Sequence, residues 1–238
     1  MQRTEQIMGM PITIITAEVG ELSWLDDVFK YFHQIDELYS PYKPSSQVSQ
    51  INDGVLQPND YSEEMNTILA IAKDTKQASS GYFDVWHNSQ FDPSGIVKGW
   101  AIEQATEILT RKTDNFYIDA GGDIQTAGYS ASGAPWRIGV RNPFSRQENI
   151  AILSLSGEAI ATSGTTVRGE HIYNPHGDGV QTELVSLSVI TASICDADRF
   201  ATAAFAMGKK GIDFIERHEG YEAYGVTSHK TVLMTSGW

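Results

Sequence analysis

Four short polar segments sit inside otherwise apolar stretches and carry residue types that can do chemistry. Asp198 and Thr202 stand four residues apart in a small-residue run, DADRFATAAFAMG. On a helix, that spacing puts a carboxylate and a hydroxyl on one face. Hard oxygen ligands of this kind suit Mg²⁺, which takes one or two carboxylates together with waters and phosphate oxygens. The plainer reading has Asp198 favouring the helix dipole while Thr202 packs.

The second segment runs from Ser80-Gly81-Tyr82-Phe83-Asp84 to Asp92-Pro93-Ser94-Gly95-Ile96-Val97-Lys98-Gly99-Trp100. A Pro/Gly turn presents backbone groups there, and Lys98 opens a helix beside them, an arrangement that suits phosphate oxygens. An ordinary loop-to-helix junction with a solvated lysine is the alternative. The third, Thr162-Ser163-Gly164 with His171-Ile172-Tyr173-Asn174-Pro175-His176-Gly177, offers hydroxyls for an anion and a histidine for proton transfer near neutrality. It reads equally as a polar loop whose histidines face water. The fourth, Asp119-Ala120-Gly121-Gly122-Asp123, lies between two strand-like runs. Its paired glycines permit close approach of a ligand, or simply make a hairpin turn.

Several common chemistries are missing. No G-x-G-x-x-G occurs, Ser94–Gly99 lacks P-loop spacing, G-x-S-x-G is absent, and His218-Glu219 does not continue to a zincin motif. The chain has 238 residues and a formal charge of −13, which argues against a nucleic-acid binder. A phosphate-bearing ligand needs local positive charge, a metal or backbone N–H groups to offset that field. Cys195 is the lone cysteine, so neither a disulfide within the chain nor a Cys-rich zinc site is expected. No stretch has the length of a membrane span, and the N-terminus carries neither a secretory pattern nor a cysteine for lipid attachment. A cytoplasmic protein is the expectation.

These residues need elements to hold them. The β-branched run 11–17 predicts a strand, and Ser23 starts a helix to about Tyr39 with Leu25, Val28, Phe29, Phe32, Ile35 and Leu38 at helical spacing. Residues 40–60 read mainly as loop. Helices are predicted after Ser62 to about Ser79, ended by Gly81, and from Gly99 to about Lys112. Strands are expected at 115–119, 124–128, 136–141, 150–155 and 184–192, then helices at 196–208 and up to Arg217, and closing strands at 221–227 and 231–235. This order is not a regular strand–helix alternation, so one α+β domain over residues 1–238 is expected, with helices packed on a mainly antiparallel sheet.

Taken in order, the segments resemble the ApbE family of FAD:protein FMN transferases across most of the chain. The resemblance rests on Met8-Gly9, Ser40-Pro41-Tyr42 with Ser46 and Asn52, Gly81–Asp84, Asp92–Gly99 and Gly121-Gly122-Asp123. It continues through Thr162-Ser163-Gly164, His171–Pro175 and the Asp198–Thr202 run with Met207 and Gly208. Departures from the family pattern are Asn174 and Glu103, where Asp is usual, Gly177-Asp178-Gly179 in place of Thr-Gly, and a shorter stretch between Asp84 and Asp92.

The resemblance implies a mixed α/β domain of the ApbE type. It implies Mg²⁺-dependent transfer of FMN from FAD to a Thr or Ser hydroxyl of an acceptor flavoprotein, with release of AMP. It assigns a metal to the Gly95 carbonyl, the Asp198 carboxylate and the Thr202 hydroxyl. Met8, Tyr42, Tyr82, Phe83, Asp84, Asp92, Lys98 and Tyr173 fall around FAD, and His171 at the catalytic base. An FAD pyrophosphatase with water as acceptor, or a non-catalytic flavin-binding module, are the competing readings.

Overall fold

The computed structural model describes all residues except 19, 22, 166–172, 177–178 and 181–182. Its strands, in chain order, are β1 (Gln2–Ile7), β2 (Met10–Thr16), β3 (Trp86–His87), β4 (Gln90–Phe91), β5 (Phe116–Ala120), β6 (Asp123–Ala127), β7 (Trp136–Asn142), β8 (Ser145–Leu155), β9 (Ala159–Gly164), β10 (Tyr173–Asn174), β11 (Gly179–Val180), β12 (Leu184–Thr191), β13 (Glu222–Thr227) and β14 (Val232–Met234). The helices are α1 (Ser23–Tyr39), α2 (Gln47–Asn52), α3 (Glu63–Ala78), α4 (Ser94–Thr110), α5 (Ile194–Ala206) and α6 (Lys210–Glu216).

Eight strands form one sheet in the order β1-β2-β5-β6-β9-β12-β13-β14, and every neighbouring pair is antiparallel. Period-two alternation sorts its side chains between two cores. Ile12, Ile14, Phe116 and Ile118 face the helices, while Ile15 and Tyr117 join Trp136, Ile138, Val140 and Leu155 under the β7–β8 hairpin. The sheet is therefore covered by helices on one face and partly by a two-stranded ribbon on the other. The expected mixed architecture with a mainly antiparallel sheet is what folds.

The central helix is α4. It buries Ile96, Val97, Trp100, Ala101, Ile102, Ala105 and Leu109, residues on most of its sides, as a helix enclosed by neighbours requires. It begins at Ser94, five residues before the predicted Gly99. Pro93 has no N–H to leave unsatisfied, and the Asp92 carboxylate accepts from the Ser94 N–H at 3.0 Å, so the Pro/Gly turn is itself the helix start. Lys98 accordingly lies on the second turn of the helix and does not open it.

Other differences have local causes. Within the predicted loop 40–60, Ser46 accepts from the Ser49 N–H at 3.1 Å and nucleates α2. The polar strand β1 lies on the sheet edge, where alternate residues face water. Strand β9, AIATSG, is built from small residues and has no β-branched run to announce it. Leu38 is exposed although its spacing suits the core. Cys195 is buried, and burial pushes its thiol pKa up, so it is an inert packing residue. Among the described residues no helix is long and apolar enough to cross a membrane.

Candidate active site

The site opens where the middle of the sheet parts. Strands β6 and β9 pair only at Ile124–Ile160 and Gln125–Ala159. Beyond that point the Asp123 side chain replaces the ladder, its Oδ1 accepting from the Thr162 N–H at 3.0 Å. Gly121 and Gly122, both at positive φ, form the turn between β5 and β6, and the Gly122 N–H donates to Asp119 Oδ1 at 2.7 Å. Glycine adopts this left-handed backbone without the steric cost that other residues meet. Burial raises the Asp119 pKa above the ordinary carboxylate range, against the opposing Gly122 hydrogen bond.

A cavity of about 1350 Å³ lies over this gap. The start of α4, the Gly-Gly turn, the end of β9, strand β7 and one face of α5 all line it. Eight of the twelve residues singled out from sequence meet here: Tyr82, Phe83, Asp84, Asp92, Gly95, Lys98, Asp198 and Thr202. Met8, in the β1–β2 turn with φ 55°, and Tyr42, 91% exposed, lie outside this lining. Tyr173 lies on β10, and His171 is outside the described residues.

Close helix packing brings Gly95, Asp198 and Thr202 together. Asp198 Oδ2 accepts from the Gly99 N–H at 3.0 Å, so α5 docks directly on the α4 backbone. In a regular helix that N–H faces the Gly95 carbonyl four residues earlier, so the Asp198 carboxylate approaches the same turn of α4. A Cβ built on Gly95 would lie 3.0 Å from the Phe83 ring and 3.9 Å from Thr202 Cγ2, which places Gly95 beside Thr202. The Thr202 hydroxyl lies 3.2 Å from that of Ser163 on β9.

Between the sheet and α5 lies Lys98. Its ammonium pairs with Asp123 Oδ2 and lies 3.3 Å from Asp198 Oδ1. All three side chains are largely buried, so the two carboxylates require positive charge at this point. A carboxylate, a hydroxyl and a peptide carbonyl form a hard, all-oxygen donor set that fits a divalent cation of the Mg²⁺ type. Among the described residues no three His, Cys, Asp or Glu side chains converge as a metal cage. One carboxylate, one hydroxyl and one carbonyl suit an ion that keeps water or substrate oxygens in its shell.

Supporting contacts fix the walls. Asn52 exchanges hydrogen bonds with the Phe91 backbone at 2.7 and 2.9 Å and so pins the short β3–β4 hairpin. Asp84 pairs with Lys76 at 2.6 Å and accepts from the Trp86 N–H at 3.0 Å. The start of α5 is held by Gln125, which accepts from the Ile194 N–H at 3.1 Å, and by Ser193, which accepts from the Asp196 N–H at 3.2 Å. Arg199 then ties α5 to α3 through Asp74 at 2.6 Å and Thr75 at 2.9 Å, while its Nε donates to Asp196 at 2.7 Å.

Sequence reasoning noticed Asp119, Asp123 and Ser163 without assigning them to the site. Two carboxylates flanking Gly-Gly between strands were the available signal. Arg137 and Arg141, which line the cavity from β7, had none beyond their charge.

A buried carboxylate-lysine centre lies with Gly95 and Thr202 beneath one large cavity on a mixed α/β scaffold. The ApbE family model matches residues 8–88 and 86–225, and the chain belongs to the ApbE family. Among curated proteins, it is 28% identical over 165 residues to an FAD:protein FMN transferase of Vibrio cholerae, covering 60% of this chain and 49% of that one. It is 27% identical over 279 residues to one of Chlamydia pneumoniae, covering 88% and 87%. The chain spans about half the length of the Vibrio, Klebsiella and Escherichia coli relatives it matches. Among solved structures, the flavin transferase ApbE from Vibrio cholerae superposes with a TM-score of 0.87 at 20% identity, covering 99% of this chain and 97% of that one. The ApbE protein from Thermotoga maritima gives 0.86 at 20% identity, covering 100% and 97%.

Proposed function

We propose that this chain is an FAD:protein FMN transferase, moving FMN from FAD onto a Thr or Ser hydroxyl of an acceptor flavoprotein and releasing AMP. The observation that carries this reading is the meeting of Gly95, Asp198 and Thr202 with Lys98 at the floor of one large cavity. Gly95, Asp198 and Thr202 would hold Mg²⁺, which when bound supplies charge neutralisation for a pyrophosphate and its transition state. Lys98, on the second turn of α4, lies beside the Asp198 carboxylate. Tyr82 and Phe83 offer aromatic surface on the cavity wall.

The reaction requires an acceptor hydroxyl to attack the phosphorus on the riboflavin side, with AMP as leaving group. His171 is assigned as the base that takes the hydroxyl proton, on the family resemblance, a role typically worth about 10²–10⁴-fold. The test is mass spectrometry of a family-type acceptor fragment after incubation with the protein, FAD and Mg²⁺, with an EDTA control. A metal-dependent FMN adduct and released AMP are expected, and Asp198→Ala abolishes both. An adduct formed equally well in EDTA would refute the metal assignment. FMN and AMP released without an adduct, even with acceptor in excess, would establish the hydrolase instead.

A further inference from the structure

The geometry points to Lys98 as a built-in placeholder for the divalent cation, with Asp123 as the positioning residue that already holds its ammonium and keeps it paired when the cation binds. This rests on the metal reading above and extends it to an ordered coupling between metal and pyrophosphate.

Both oxygens of Asp198 are engaged. Oδ2 accepts from the Gly99 backbone, a fixed contact, whereas Oδ1 faces the mobile end of a lysine at 3.3 Å. A cation entering among Gly95, Asp198 and Thr202 meets that ammonium at the same carboxylate, and two positive centres on one carboxylate repel. The lysine has a second seat. Asp123 is 3% exposed, its Oδ1 is occupied by the Thr162 N–H, and its Oδ2 is in contact with the Lys98 ammonium. Lys98 can therefore release Asp198 without leaving its charge unpaired, because a lysine is a compact charge on a flexible stem.

The consequence is a competition. Without substrate, Lys98 neutralises the buried carboxylate pair and weakens metal binding. A pyrophosphate drawn into the cavity attracts the ammonium as well as the metal, so each favours the other by a reciprocal coupling. The device keeps two buried carboxylates charge-compensated in every state of the site.

Mn²⁺ titration of the full chain, without nucleotide, followed by electron paramagnetic resonance, tests this. Lys98→Met removes the competitor and should tighten Mn²⁺ by about tenfold, the scale of one removed neighbouring charge. Asp123→Asn takes away the carboxylate that draws Lys98 from Asp198 and should weaken Mn²⁺ by about tenfold. In the Lys98→Met background, Asp123→Asn should cost less than about threefold, because its effect passes through the lysine. A full-size Asp123→Asn effect in both backgrounds would mean simple loss of negative charge and overturn the proposal. So would a Lys98→Met protein that binds Mn²⁺ no more tightly than wild type. Near-UV circular dichroism checks each variant, and Lys98→Gln stands in if Lys98→Met does not fold. Absence of Mn²⁺ binding in wild type and both Lys98 variants would overturn the metal reading and this inference together. Failure of the FMN-adduct assay alone leaves the Mn²⁺ result, and the inference, standing.

Discussion

Gly99→Ala is the most direct test of how the site is assembled. A Cβ at residue 99 would lie 2.9 Å from Asp198 Cβ, 3.0 Å from Cys195 Cα and 3.0 Å from the Ile194 carbonyl oxygen. Two of those three atoms are backbone, and the third is the first atom of a side chain, so none can swing aside. Relief requires α4 and α5 to separate by several tenths of an ångström. Overpacking of this kind costs about 1–3 kcal/mol. Replacing a mid-helix glycine by alanine returns up to about 1 kcal/mol. With that full gain the net loss reaches about 2 kcal/mol, which corresponds to up to roughly 8 °C in Tm for a chain of this size. The same separation lengthens the 3.0 Å bond from the Gly99 N–H to Asp198 and shifts the carboxylate relative to Gly95 and Thr202. Calorimetry and Mn²⁺ titration measured together should show a lowered Tm and weaker metal binding. A variant with unchanged Tm and unchanged Mn²⁺ affinity would refute the claim that close helix contact sets the donor geometry.

Two further outcomes follow from the supporting contacts, and one from the role proposed for His171. Arg199→Met leaves Asp74 and Asp196 without their shared cation, and because Asp74 is largely exposed the loss should be about 2 kcal/mol, read as a lower midpoint in urea denaturation. His171→Ala should slow FMN transfer by about 10²-fold or more while FAD affinity, followed by flavin fluorescence, stays within a few-fold; equal loss of both would make His171 a binding residue. Burial raises the Glu103 pKa, although the Ser193 hydroxyl donates to its carboxylate. The folded state therefore holds the proton to higher pH than the unfolded one, and this group's contribution to stability falls as pH rises through its folded pKa. Glu103→Gln should raise Tm at neutral pH and converge on wild type at acidic pH, and a constant difference across the range would refute the assignment.

Much of the architecture was legible because its signals are local. Helix α1 shows in the spacing of Leu25, Val28, Phe29, Phe32 and Ile35, and α3 in the Ser62 cap, which accepts from the Met65 N–H at 3.1 Å. What stayed hidden depends on partners distant in sequence. Strand β9 is recognised by its two neighbours, since Ala159, Ile160 and Ala161 are buried between β6 and β12 without a β-branched run of their own. Asp123 looked like a turn residue because the Gly-Gly before it is a common turn. Its reach to Thr162 across a parted ladder, and to Lys98 on a helix, exists only after the sheet has formed. Asp198 and Thr202 were visible as a spaced pair, while the contact that docks Asp198 on α4, the Gly99 backbone, is 99 residues away along the chain.

The charge distribution bears on how an anionic dinucleotide enters. The chain carries a net charge of −13, and among the described residues the cavity lining contains five carboxylates, Asp84, Asp92, Asp119, Asp123 and Asp198, against three cations, Lys98, Arg137 and Arg141. Asp84 is neutralised by Lys76, but Lys98 is in turn held by Asp123 and Asp198, so it presents little free positive potential. On the proposed function, FAD phosphates would therefore approach the metal-free protein against a repulsive field. Long-range repulsion of this kind is screened over about 10 Å at 0.1 M salt. Raising KCl from about 10 to 150 mM in EDTA should accelerate FAD association, measured by stopped-flow quenching of flavin fluorescence, because salt removes more repulsion than attraction. In excess Mg²⁺ the acceleration should shrink or reverse, since the cation supplies the attraction that salt then screens. If association in EDTA instead slowed with salt, the cavity would be electropositive on its own side chains. Lys98 would then have to be free of its carboxylates for much of the time, and the arrangement of Lys98 between Asp123 and Asp198 would not describe the state that FAD meets.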